Sequence, residues 1–160
     1  MQAAKDSFYM TLRSRLAELN PQRTAVIGGV TRPAIMVVEN ERVGEDAEMN
    51  DAFALRWGAP STAEAGGALQ AMTCTVSYQT EGTEQAAGTD RGRGLATMDH
   101  ELAQISQPPS ADKMDYTQTP PVALGTTVFW SAPVFAGAEL DGAVIHRKAT
   151  MIVYFIPEGA

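Results

Sequence analysis

Between Leu69 and Ile105 the chain changes period. Met72, Cys74, Val76 and Tyr78 alternate with polar residues, as in a half-buried strand. After the acidic, glycine-containing turn from Glu81 to Gly88, Leu95, Met98, Leu102 and Ile105 recur at three- and four-residue spacing, the repeat of one helix face. With a second apolar-faced helix at 6–19 and more strands downstream, this predicts an α+β domain: a mixed, mainly antiparallel sheet packed by two helices. A length of 160 residues and 44% hydrophobic content suit one domain with a core that needs neither disulfide nor metal.

In the first helix Asp6 or Ser7 is the expected cap, Phe8, Leu12, Leu16 and Leu19 the buried face, and Asn20-Pro21 the stop. Gly28-Gly29 and Arg32-Pro33 bracket a turn region. The run Ala34 to Val38 then suits a strand covered on both faces. Residues 39–51 turn acidic and predict a solvated loop. Phe53, Leu55 and Trp57 alternate as a second strand, and an Ala- and Gly-rich linker leads into the third, from Leu69 to about Thr80. Thr89 or Asp90 is the expected cap of the second helix, whose first turn is weakened by Gly92 and Gly94, at roughly 1 kcal/mol each. Residues 106–125, with Pro108, Pro109, Pro120 and Pro121, predict a long excursion from the core. Strands at 127–130 and 144–156, joined through Gly137–Gly142, complete the chain.

Twelve Lys and Arg against nineteen Asp and Glu give a net charge of −7. That balance argues against affinity built on neutralising phosphates. No apolar run approaches the roughly 18 residues that span a bilayer, and the charged residues among 1–19 break any signal-peptide pattern, so a soluble protein made in a cytoplasm is expected. His100 and His146 stand in no metal-ligand spacing, and His100 falls on the polar side of its helix. Gly88, Gly92 and Gly94 match no phosphate-loop pattern, and no nucleophile motif is present. Cys74 reads as a small buried hydrophobe. No enzyme, cofactor or metal is expected.

The residues that suggest recognition fall into two clusters. Arg91 and Arg93 form a local guanidinium pair that either contacts carboxylates of another subunit or marks an ordinary solvated helix start. Arg56-Trp57 and Phe129-Trp130 combine residue types that interfaces favour with strand positions that suit a core. The candidate subunit-interface set is Arg56, Trp57, Arg91, Arg93 and Tyr116 together with Glu45, Asp46, Glu48 and Asp51 of the acidic loop, which would complement the arginines.

Four segments carry a family likeness. They are Phe8-Tyr9-x-x-Leu12-Arg13-x-Arg15-Leu16-Ala17-x-Leu19, the strand Thr73–Thr80 running into Glu81-Gly82, the turn and helix from Thr89-Asp90-Arg91-Gly92-Arg93 to Leu102, and the strand Lys148–Phe155. In these and in element order the chain resembles the phage tail terminator and tail-completion (head-tail joining) proteins. The resemblance implies a virion protein whose copies form a ring, commonly a hexamer, that caps the tail tube and meets the head or neck connector, with DNA only passing through the lumen. Segments 39–51 and 106–125 depart from that pattern as long loops. A connector or tube subunit of the same neck, an unrelated small-molecule-binding α+β domain, and an adaptor that takes a peptide on a sheet edge are the alternatives.

Overall fold

The computed structural model describes residues 1–41, 49–63 and 67–158. Helix α1 runs over Gln2–Leu19 and buries Ala4, Ser7, Phe8, Leu12 and Leu16, largely one residue per four. It begins before the expected cap. The Asp6 carboxylate instead accepts from Gln2 one turn earlier, and the buried Ser7 hydroxyl donates to the Ala3 carbonyl. Leu19, expected on the buried face, is 41% exposed, because the helix ends there and the chain turns away at Asn20.

The expected turn region is a hairpin of β1, Thr24–Ile27, and β2, Val30–Pro33. Gly28 and Gly29 both have positive φ, 58° and 78°, as a two-residue hairpin turn of matching twist requires. Then come β3, Ile35–Val37, β4, Phe53–Trp57, the short β5, Ser61–Thr62, and the long β6, Gln70–Thr80. Helix α2, Arg91–Ile105, is followed by β7, Ser110–Asp115, β8, Val122–Trp130, β9, Val134–Phe135, β10, Glu139–Asp141, and β11, Val144–Phe155.

The main sheet has the order β3-β4-β6-β11-β8-β7, with β5 paired to β6 and with β9 and β10 paired to β11. Among the described residues only β3 and β4 pair in parallel, and the other pairs of this sheet are antiparallel. Both helices lie on one face, over Met72, Cys74, Val76 and Tyr78 of β6 and Ala149, Met151, Val153 and Phe155 of β11. Helix α1 touches β3 and β7, the two ends of the strand order, so the sheet curls around it. Phe8 sits at the centre of the curl, edge-on to Trp57 of β4 and Trp130 of β8 at centroid distances of 5.5 and 5.1 Å.

Segment 106–125 is not an excursion. It forms β7, the turn and the first part of β8, inside the sheet. Its polarity misleads because this hairpin is solvated on one side, and because Lys113, though 2% exposed, satisfies its ammonium on the Ile156 carbonyl at 2.6 Å. Of loop 39–51, residues 42–48 lie outside the described residues.

Candidate interaction surface

Among the described residues, nothing covers most of the width of the sheet face turned away from the helices. Strand alternation puts every second residue there, and the register aligns them in rows. One row is Val134, Thr150, Thr75 and Arg56, across β9, β11, β6 and β4. On one side of it lies the row Lys148, Ser77 and Ala54; on the other lie Ile152 with Thr73, then Phe129, Tyr154 and Ala71. Phe129 is 51% exposed, Val134 70% and Ile152 38%, so this end of the face is an apolar patch. Arg56 and Lys148 are exposed, and neither forms an ion pair among the described residues. At the far end His146 faces Glu139, at 3.6 Å.

The hairpin β1–β2 covers only the β3 margin of this face, where Ala25 and Ile27 close over Ala34, Met36 and Ala52. That is why the continuous apolar run predicted as a doubly covered strand is buried at Ile35, Met36 and Val37 alike. The two end strands of the main order, β3 and β7, are each met by side chains along their outer edge. At β3, the Glu41 carboxylate accepts from the Val37 amide at 3.1 Å and is itself held by Arg32, which also reaches the Tyr9 hydroxyl. At β7, the Ser7 hydroxyl accepts from the Met114 amide at 2.8 Å, and Arg15 donates to the Ser110 carbonyl at 3.3 Å. Such contacts remove the exposed ladder on which a further strand would add.

Of the nominated interface residues that are described, only Arg56 lies on the open face. Trp57 is half-buried against Phe8, with the Lys5 ammonium 5.6 Å from its ring centre. Arg91 donates to the main-chain carbonyls of Gly142 and Ala143, at 3.4 and 2.9 Å, and so ties the start of α2 to the β10–β11 turn. Arg93 is exposed. The Asp51 amide donates to the Gln79 carbonyl and its carboxylate lies 4.0 Å from Arg23, so Asp51 and Arg91 stand at the same end of the sheet. Tyr116 occupies the β7–β8 turn, where burial and the nearby Asp6 charge raise its phenol pKa. Glu45, Asp46 and Glu48 lie outside the described residues.

Sequence reasoning missed three polar clusters, one buried and two partly buried. Glu101, 5% exposed on α2, accepts from Arg23 and, at 2.6 Å, from Asn20. Tyr78 donates to Asp99 at 2.5 Å, with Arg147 3.5 Å from the same oxygen; burial and the acceptor carboxylate push the phenol far up. Arg15 donates to the carbonyls of Ile105 and Pro108 and stacks 5.6 Å over Trp130, whose Nε1 donates to the Ser106 carbonyl. Each joins a helix to a distant strand or loop, a pairing that local periodicity does not carry. Cys74 is fully buried, and burial raises its thiol pKa, which suits packing rather than reactivity.

Among the described residues no group of three or more His, Cys, Asp and Glu is placed to hold a metal, and no helix is long and apolar enough to cross a membrane. Neither protein-family models nor curated proteins give a match to the chain.

Proposed function

We propose that this chain is a structural, non-enzymatic subunit of a phage tail or tail-like particle, and that copies of it form a ring that terminates the tail tube and joins it to the head or neck connector. The observation that carries this reading is the uncovered sheet face. A curled sheet whose end strands β3 and β7 are blocked, yet whose outer face exposes Phe129, Val134 and Ile152, is built to meet another protein surface. Closed rings need heterologous contacts, one patch against a different patch on the neighbour, and a single curled layer offers distinct surfaces at its face and at its ends. The net charge of −7 suits a channel through which DNA passes without adhering, since like charges repel.

The test is assembly. Native mass spectrometry and electron microscopy of the purified chain should show closed rings, expected to be hexamers, and adding them to growing tail tubes should stop elongation. A chain that stays monomeric at high concentration overturns the reading. Rings that leave tube growth unaffected and bind within the neck instead would mark a connector.

A further inference from the structure

We propose that the open sheet face docks a second copy of this chain, with Arg56 and Lys148 receiving the acidic end of the neighbour formed by Glu81, Glu84 and Asp141. This rests on the ring reading and names the contact within it. The two cations lie two strands and two residues apart, about 12 Å between Cα atoms from standard sheet spacings. Thr75, Ser77 and Thr150 lie between and beside them, so the centre of the face is polar and cationic in a chain that is acidic overall. No carboxylate occupies the rows from Thr73 to Lys148.

The complementary charge lies elsewhere on the same molecule. Glu81 and Glu84 follow the end of β6, and Asp141 precedes the turn that Arg91 holds against the start of α2. All three are exposed, and none has an ion-pair partner among the described residues. Within one chain this end cannot close on Lys148, which lies four residues along β11 from Val144, about 13 Å away. At that end Arg91 is turned onto the Gly142 and Ala143 carbonyls and Arg93 stands exposed on α2, so the free carboxylates of Glu81, Glu84 and Asp141 outnumber the cations beside them. A cationic face and a predominantly acidic end on one subunit are the two halves of a head-to-tail contact, which becomes a ring if the rotation closes. The neighbouring apolar patch at Phe129, Val134 and Ile152 supplies area that excludes water beside the charges.

Three proteins test this: the wild type, Arg56→Glu/Lys148→Glu, and Glu81→Lys/Glu84→Lys/Asp141→Lys. Circular dichroism confirms the fold of each, and native mass spectrometry follows assembly. The wild type should assemble, each charge-reversed protein should assemble roughly tenfold more weakly, and an equimolar mixture of the two should recover wild-type assembly with the two kinds alternating. Reversed proteins that assemble as well as the wild type overturn this contact and leave the ring reading standing, whereas a monomeric wild type removes both. Should a reversed protein fail to fold, Arg56→Gln/Lys148→Gln gives the answer. Wild-type assembly should weaken between about 0.05 and about 0.5 M salt, and that variant should flatten the dependence; an unchanged slope overturns the contact.

Discussion

Glu101 and Arg23 form a buried pair whose loss at either position the fold would feel strongly. Both charges are largely removed from water, and Asn20 adds a hydrogen bond to the same carboxylate. Removing one partner of such a pair leaves the other buried without compensation, so Glu101→Ala should destabilise the protein by about 3 kcal/mol in urea unfolding. Replacing both, as Arg23→Met with Glu101→Leu, should recover most of that loss, because neither desolvated charge remains. A single substitution costing well under about 1 kcal/mol would mean that water reaches the pair. The half of this pair on α2 was legible: Glu101 falls three residues after Met98 and four before Ile105, inside the apolar stripe. Its partner was not, since nothing local connects it to Arg23, 78 residues away.

At the scale of the element, the start of α2 shows how a weak local sequence is held from outside. Asp90 stands at the cap position but makes no capping bond; its carboxylate takes both the amide and the hydroxyl of Thr83, each at 2.8 Å. Those bonds from Thr83 lower the Asp90 pKa. A depressed folded-state pKa stabilises the turn above the unfolded value near 3.9, and the contribution is lost as pH falls through the folded value. Hydrogen exchange at the Thr83 amide should therefore quicken as pH drops below about 4, relative to its intrinsic rate, and Asp90→Asn should abolish that acid sensitivity. An equally sharp change in Asp90→Asn would assign the acid response to another group. Gly82 makes the arrangement possible: with φ of 76°, its missing Cβ would fall 2.5 Å from the Asp90 carboxylate. Periodicity marked β4, β6, β11 and both helices because each has one apolar face. It missed the β1–β2 hairpin, β7 and the first part of β8, which are short or solvated and whose local signals are Gly28-Gly29 and Pro120-Pro121, while the strand at 127–130 is the second part of β8.

At the scale of the whole molecule, the described residues form two apolar cores on opposite sides of one sheet. The large one gathers both helices and Phe8 between the tryptophans, while the small one lies under the β1–β2 hairpin around Met36 and Ala34. Phe8 holds the curl, because among the described residues it alone bridges β4 and β8 by ring contacts from within. The open face was not legible in the sequence: Arg56 and Lys148 are 92 positions apart, and only the register through β6 brings them onto one surface. The two cores should respond differently to truncation. Phe8→Ala removes a fully buried ring at the centre of the curl, so it should cost about 3–5 kcal/mol and lower the global unfolding transition. Met36→Ala empties the small core instead, and the loss should appear first as faster amide exchange in Thr24–Pro33, with exchange in β6 and β11 little changed. If both substitutions speed exchange uniformly across the sheet, the hairpin and the main layer unfold as one unit, and the surface that the hairpin borders is as rigid as the core beneath it.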